Sequence, residues 1–425
     1  MSRLKVSFLT ESRYNDFVGY TKNAISGFSW QSVLKVLQSV LTIVKVSILA
    51  RLLSPNDFGV FSLVTIALGI VEAFTQTGVN FTILQSKRPI KYFVDTAWVI
   101  AIIRGILISI CMVLLGLGMG TFYGMPELPL YIAIAAIVPL IKGFINPSII
   151  MLHKKLEFFK DSTYRLSLTL VDVVLAIIFG IVFRSFIAMI LAMIGAAIFE
   201  VVISFIFFSV KPKFKYIKSR AEIIYSNALW LSLSALLSYA HENIDNFILG
   251  KTIGTYNLGL YHNGYNLGHK TNYDLTKSAY HGTLPIFTKI MDDTDRLRRA
   301  FIKSSLATLG IAFLGTLPFF IFPKVIVSIL LGSEWLSIAN YLPLLATAGL
   351  LQAVSMQCTS LLMAMRKFSV VNLQLATTII ILVPLLIYWS NSTGIQGAAQ
   401  ALIISRVISL PIVFVGVAQV LRKKS

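Results

Sequence analysis

Thirteen ionisable side chains fall inside long apolar runs of this chain, where chemistry is expensive to keep. The bases are Lys35, Lys45, Arg104, Lys142, Lys270, Lys277 and Arg406; the acids are Glu72, Asp172, Glu200, Glu242, Asp245 and Asp274. A charge at the centre of a membrane helix costs about 2.5–3.5 kcal/mol on insertion scales, so such groups turn toward a protein interior or a wet cavity. Gln31, Lys35, Gln38, Thr42 and Lys45 follow i, i+4, i+7, i+11, i+14 and form one narrow stripe of a helix. Val33, Leu37, Val40, Leu41, Val44 and Ile48 occupy the other side. The stripe contains no acid. It reads either as a cavity wall that attracts an anionic substrate or as a pairing face neutralised by acids elsewhere. Arg104, Lys142 and Arg406 lie near the middle of their runs, each suited to a phosphate or to an acid such as Glu72 or Asp172.

Two more polar stripes follow. Asn227, Ser234, Ser238, His241 and Asp245 share a face, with Glu242 beside it. Protonatable groups held inside a membrane suit a proton or sodium relay, so His241, Glu242 and Asp245 are ion-coupling candidates. The alternative is that Asp245 pairs structurally with a lysine. His262, Asn266, His269, Tyr273 and Tyr280 lie roughly on one face of the next run, with Lys270, Asp274 and Lys277 nearby. Asp274 can pair with Lys270 or Lys277 along the helix. Rings and amides offer a sugar a flat apolar face with hydrogen-bond donors and acceptors. Asn266, His269 and Tyr273 are therefore sugar-contact candidates, although the same residue types serve as ordinary helix contacts.

The elements that hold these residues are membrane helices. A crossing takes about 20 apolar residues at about 1.5 Å each. Twelve runs qualify, near 24–52, 55–84, 92–120, 128–152, 162–184, 186–209, 222–250, 255–282, 300–323, 337–364, 369–389 and 394–421. Strands of a membrane barrel would be shorter and alternating. If the N-terminus is cytoplasmic, the inner loops and tails carry 26 Lys and Arg and the outer loops carry 4. That asymmetry supports both the span count and cytoplasmic termini.

Composition closes off other classes. Of the 425 residues, 56% are hydrophobic and 13% charged, about half the charge of a soluble domain. A soluble enzyme, a disordered chain and a disulfide scaffold are excluded. The net charge of +19 fits basic loops on an anionic leaflet better than nucleic-acid binding. Cys111 and Cys358 make no metal spacing, and no cleavable signal peptide is expected. Gly250-Lys251-Thr252 resembles the end of a phosphate loop but lacks its first glycine, since Asp245 stands there.

The chain repeats itself at an offset of 200. Ile48-Leu49-Ala50-Arg51 matches Ile248-Leu249-Gly250-Lys251, Gly59 matches Gly259, and Phe61 matches Tyr261. A weaker echo at 210 aligns Tyr131, Ala136, Leu140 and Phe158 with Tyr341, Ala346, Leu350 and Phe368. Six spans per half make the repeat parallel, with a central cavity between the halves. The expected organisation is an all-α membrane protein of two six-helix lobes, 1–210 and 222–425, joined by a basic cytoplasmic linker at 211–221.

Ala50-Arg51-Leu52-Leu53-Ser54-Pro55-Asn56-Asp57-Phe58-Gly59 resembles the signature of polysaccharide-exporter flippases. Leu284-Pro285-Ile286-Phe287-Thr288-Lys289-Ile290, Asp292 to Arg298, Leu331-Gly332-Ser333-Glu334-Trp335 and Leu361-Leu362-Met363-Ala364 carry the same resemblance. Together they are similar to the colanic-acid-exporter type of lipid-linked oligosaccharide flippase, in the superfamily that also holds multidrug antiporters and the lipid II flippase. The resemblance implies two six-helix lobes, alternating access, and an undecaprenyl-pyrophosphate-linked glycan as cargo in the bacterial inner membrane. It implies no covalent chemistry and no cofactor beyond a proton or sodium gradient. Implied partners are the lipid-linked oligosaccharide, membrane lipids, and polysaccharide polymerase or assembly proteins, with no nucleic acid. Many members carry two further C-terminal helices, whereas twelve spans are counted here. On this reading Lys35, Lys45, Arg104, Lys142 and Lys270, with Gln31 and Gln38, draw the pyrophosphate or acidic sugars. A cation antiporter of the same architecture is the alternative, and a membrane glycan polymerase or acyltransferase a more distant one.

Overall fold

The computed structural model describes residues 34, 36–75, 83–84, 86, 88–155, 157–225 and 228–422. Among these the regular structure is helical and no strand occurs. The main helices are α1 (36–52), α2 (Pro55–Phe74), α3 (Val94–Tyr123), α4 (Leu128–Ala135), α5 (Ile137–Lys142), α6 (Ile150–Lys154), α7 (Phe158–Phe183) and α8 (Ile187–Phe207). They continue as α9 (Lys218–Tyr225), α10 (Ala228–Thr252), α11 (Gly254–Tyr265), α12 (Thr271–Lys289), α13 (Thr294–Ile321) and α14 (Pro323–Leu330). The last three are α15 (Leu342–Ala364), α16 (Phe368–Thr393) and α17 (Ile395–Leu421). A π-helical turn, Asn266–Lys270, joins α11 to α12 without a break.

Among the described residues, eight helices are long and apolar enough to cross a membrane: α2, α3, α7, α8, α13, α15, α16 and α17. The bent pair Leu128–Lys142 and Pro147–Lys154 makes a ninth if it is one span. The other expected crossings are helical too. α1 is described only from its middle onward. α10 and the α11–α12 pair are long enough but too polar, since they carry the second and third polar stripes.

The bend of 65° in the fourth expected span has a local cause. Pro147 disfavours the helical region for the residue before it, and Asn146 is extended at φ −67°, ψ 116°. Its side chain then accepts from the Ser148 amide 3.0 Å away, starting the next turn with proline in the first position.

Packing divides the chain into two compact units that interleave in sequence. Of the described residues, the first holds those up to Leu49, in Val71–Gly116 and in Pro129–Ala235; the second holds those in Ala50–Ile70, in Leu117–Leu128 and from Leu236 onward. The first has a core around Phe93, Ile100, Ile150 and Ile224. The second is built on α15, α17 and the side chains of Phe287, Leu361, Leu362 and Val413. Where helices pack inside a lipid-like surround, small residues let backbones approach, because burying leucine gains little there. α15 does this with Ala346, Ala348, Gly349, Ala353, Ser355 and Ser360, all buried. Large apolar side chains such as Leu114, Val182, Ile206, Leu314 and Ile380 stay exposed on the outside.

Candidate functional site

In the first unit the charges are tied down. Lys45 Nζ lies 2.7 Å from Asp172 Oδ2, each side chain about a quarter exposed at 25%. The neutralising acid for the first stripe is thus on α7, and Lys45 serves as a pairing residue. Arg104, on α3, donates from Nε to the Thr75 carbonyl at 2.8 Å and from a terminal nitrogen to the Glu72 carbonyl at 3.1 Å. Those carbonyls lie at the last described turn of α2, so the guanidinium sits at a helix C-terminal end, where positive charge is favoured. Lys142, at the end of α5, stands within electrostatic reach of Glu200 on α8. Gln38 is half-buried, and its carbonyl accepts from Thr42 Oγ1 at 2.9 Å. Gln31 and Lys35 lie outside the described residues.

The second unit gathers its polar groups around a column of rings. Tyr261, Tyr265, His269 and Tyr273 follow at intervals of four, with successive ring centroids 5.8, 4.2 and 6.2 Å apart. A spacing of four overshoots the 3.6-residue α-turn, so such a ladder drifts around a regular helix. The wider i→i+5 turn at Asn266–Lys270 takes back part of that drift and keeps the rings stacked.

Both acids of α10 attach to this column. Asp245 is buried and accepts from the Tyr261 hydroxyl at 2.6 Å, and from the Asn246 backbone and side-chain nitrogens at 2.8 and 3.1 Å. Glu242, exposed, accepts from the Tyr273 hydroxyl at 2.7 Å. Arg406 is buried on α17, donates to the Ala348 carbonyl of α15, and stands within electrostatic reach of Asp245, Tyr265, His241 and His269. Asp245 therefore takes its hydrogen bonds from a tyrosine and an asparagine, and Lys45 has a different acid.

Of the expected sugar contacts, Tyr273 and Asn266 are partly exposed, while His269 is buried inside the column between Tyr265 and Tyr273. Lys277 Nζ sits 5.1 Å from the Tyr273 ring centroid, and Lys270 is exposed. Both ring nitrogens of His269, Nδ1 of His241 and Oδ1 of Asn272 are buried with no hydrogen-bond partner among the described residues. Buried polar atoms are normally satisfied, so unpartnered ones mark where a proton, a water or an ion has something to bind. Tyr261 and Tyr265 carry much of this arrangement. They extend the column back from His269 and Tyr273, and the signal that finds them is the run of aromatic residues at steps of four.

With apolar helices long enough to cross a bilayer at least eight times, the chain is a multi-pass membrane protein. It belongs to the polysaccharide biosynthesis protein family, whose sequence profile matches residues 48–340. It is 24% identical over 390 residues to an uncharacterized membrane protein in the cps region of Klebsiella pneumoniae, covering 91% of this chain and 80% of that one. It is 23% identical over 411 residues to the lipopolysaccharide biosynthesis protein WzxC of Escherichia coli K12, covering 91% and 79%. Among solved structures it is similar to an inward-facing multidrug resistance MATE family transporter of the MOP superfamily, at a TM-score of 0.67, 12% identity and 91% and 96% coverage. It is equally similar to the lipid II flippase MurJ in an inward closed conformation, at 0.66, 13%, and 91% and 87%. At such identities the likeness is one of fold.

Proposed function

We propose that this protein is a flippase of the bacterial inner membrane that moves a polyprenyl-pyrophosphate-linked oligosaccharide repeat unit from the cytoplasmic to the outer leaflet. Two six-span lobes, 1–210 and 222–425 with the linker at 211–221, would alternate access to a shared cavity, with both termini cytoplasmic. No bond of the cargo is made or broken; the protein acts by binding it differently in two states.

The observation that carries this reading is the partly exposed cluster around Tyr273. A ring edge, an accepting carboxylate at Glu242 and two lysines, Lys270 and Lys277, stand on the same unit. A phosphorylated sugar can use that combination: an apolar ring edge beside the pyranose, an acceptor for its hydroxyls and ammonium groups for its anion. Lys35, Gln31 and Gln38 stay in the proposal as anion-guiding groups of the first span. Lys45, Arg104 and Lys142 enter it through the acids and carbonyls they already hold. For coupling, Asp245, Glu242 and His241 are proposed to exchange a proton or sodium ion, supported by the unpartnered buried nitrogens beside them. Membrane lipids and polysaccharide polymerase or assembly proteins are the proposed partners.

The test is transbilayer movement of a polyprenyl-pyrophosphate-linked oligosaccharide in proteoliposomes, with and without a proton or sodium gradient. Movement that requires the protein and falls in Lys270→Ala/Lys277→Ala supports the reading. Exchange of protons for organic cations, with no movement of the glycolipid, overturns it in favour of a cation antiporter.

A further inference from the structure

The two segments that match at an offset of 200 touch each other in the second unit. α2 and α11 cross at their first turns. A methyl group added at Gly59 would collide with the backbone carbonyl of Thr255, and one added at Gly259 would collide with the backbone carbonyl of Pro55. Thr255 is the repeat partner of Pro55, as Gly259 is of Gly59. Each contact is therefore the image of the other, the self-complementary pattern of an isologous interface. Ser62 and His262, also 200 apart, approach to 3.4 Å, and Thr255 Oγ1 donates to Asn56 Oδ1 at 2.5 Å.

A second set of contacts clasps the same corner. Trp335 is fully buried and donates from Nε1 to the Ala50 carbonyl at 2.8 Å. Its ring meets Phe58 edge-on at 5.1 Å. Arg51 donates to the Ile329 carbonyl at 2.7 Å, and its stem lies against Gly332, whose φ of 102° suits glycine. Thus Ala50–Gly59 and Leu331–Trp335, joined by a bond across 285 positions of the chain, are two sides of one clasp. The first-half segments that pack with the second unit, Ala50–Ile70 and Leu117–Leu128, each flank a loop that the lysine and arginine count places outside.

We infer that this clasp is a latch on the outer side, and that the transport cycle must part α2 from α11 and release Trp335 before cargo leaves. The glycines serve approach: without side chains they let two backbones meet so closely that nothing threads between them. The hydrogen bonds and the indole set how strongly the latched state is favoured. The inference rests on the transporter reading and its orientation, and its test is arranged to fail separately from them.

The experiment uses the full chain in proteoliposomes, with Cys111→Ser and Cys358→Ala as background. Asn56→Cys/Thr255→Cys is joined by a short reducible bis-thiol reagent. The expected result is that joining stops cargo movement and that reductant restores it. Movement that continues at the unjoined rate overturns the latch. A second readout needs no cargo: labelling of a single Ser62→Cys thiol, at a position buried against His262, by a membrane-impermeant reagent added to the face opposite the N-terminus. Gly59→Ala or Gly259→Ala is expected to raise that labelling about tenfold by shifting population to the unlatched state. Trp335→Phe, which keeps the ring and loses the donor, provides the same shift where an alanine variant fails to fold. Unchanged labelling in folded variants, or labelling that rises from the N-terminal face, overturns the inference even if transport itself is confirmed.

Discussion

The two units treat their intramembrane charges differently. In the first, each described cation of a span is matched to something fixed: Lys45 to Asp172, Arg104 to the end of α2, Lys142 to the field of Glu200. In the second, the acids of α10 accept from tyrosines, Arg406 reaches from α17 to a carbonyl of α15, Lys270 is exposed, and Lys277 is half-buried with its ammonium near the Tyr273 ring. A cation with a carboxylate at 2.7 Å is a part of the scaffold, since a bilayer interior makes separation expensive. An exposed cation such as Lys270 carries no such separation cost. The contrast accords with the proposed division, structure for the first set and recognition for the second.

The largest effect is expected at Asp245. Asp245→Ala strips the acceptor from the Tyr261 hydroxyl and two nitrogens of Asn246, all inside the protein. Leaving buried donors unmade costs about 1–3 kcal/mol each. Thermal unfolding in detergent should fall sharply and transport should vanish, while Asp245→Asn retains an acceptor and should lose less stability. Next comes the first-unit pair. Asp172→Ala leaves Lys45 unmatched, and removing one member of a fully buried pair costs about 3–5 kcal/mol. With both groups a quarter exposed, the loss should be about 1–3 kcal/mol. The apolar double variant Lys45→Met/Asp172→Leu should recover most of it, with near-normal transport per folded molecule. Folded double variants that no longer transport would break the comparison and return Lys45 to the binding site.

Arg104→Met is expected to be milder. It removes two donors to carbonyls at the last described turn of α2, about 1–2 kcal/mol in all, and loosens that helix end. Hydrogen exchange confined to the last turn of α2 would show it. The smallest effect on unfolding belongs to Lys270→Ala/Lys277→Ala, for which no measurable change is expected. Cargo movement should nevertheless fall at least about tenfold, or about 1.4 kcal/mol of binding. Transport unaffected by that pair would sharpen the question by moving the anion site to Lys35.

Most helix positions were legible from apolar runs and their breaks. The run at 369–389 is α16 and the run at 394–421 is α17, each within a few residues. The kink of the fourth run was not legible as a kink, because Gly143 and Pro147 mark a break without saying whether the chain turns back or bends. The site was legible by half. The stripe on α10 and the acids on it follow from helical periodicity alone. The pairing of Lys45 with Asp172 spans 127 positions and no period relates them. His269 reads as a sugar contact because it shares a face with Tyr273. It does share that face, but its ring is enclosed in the column between Tyr265 and Tyr273, held there by a π turn that no residue type announces. The offset of 200 was visible in sequence, but the contact between the matched glycines belongs to tertiary packing.

The bend at Asn146 also sets an order of events during synthesis. Its buried polar groups are satisfied from further along the chain: the Asn146 amide donates to Ser204 Oγ at 3.1 Å, and Asn146 Nδ2 and Ser148 Oγ donate to the Val210 carbonyl at 2.9 and 3.0 Å. These partners lie 58 to 64 residues downstream. At about 5–20 residues per second, a nascent chain makes Asn146 several seconds before it makes the groups that complete it. Until then unpaired amides would face lipid, which a membrane segment does not tolerate. The fourth segment therefore has to wait at the insertion machinery, or beside it, until the hairpin of α7 and α8 arrives and carries it in.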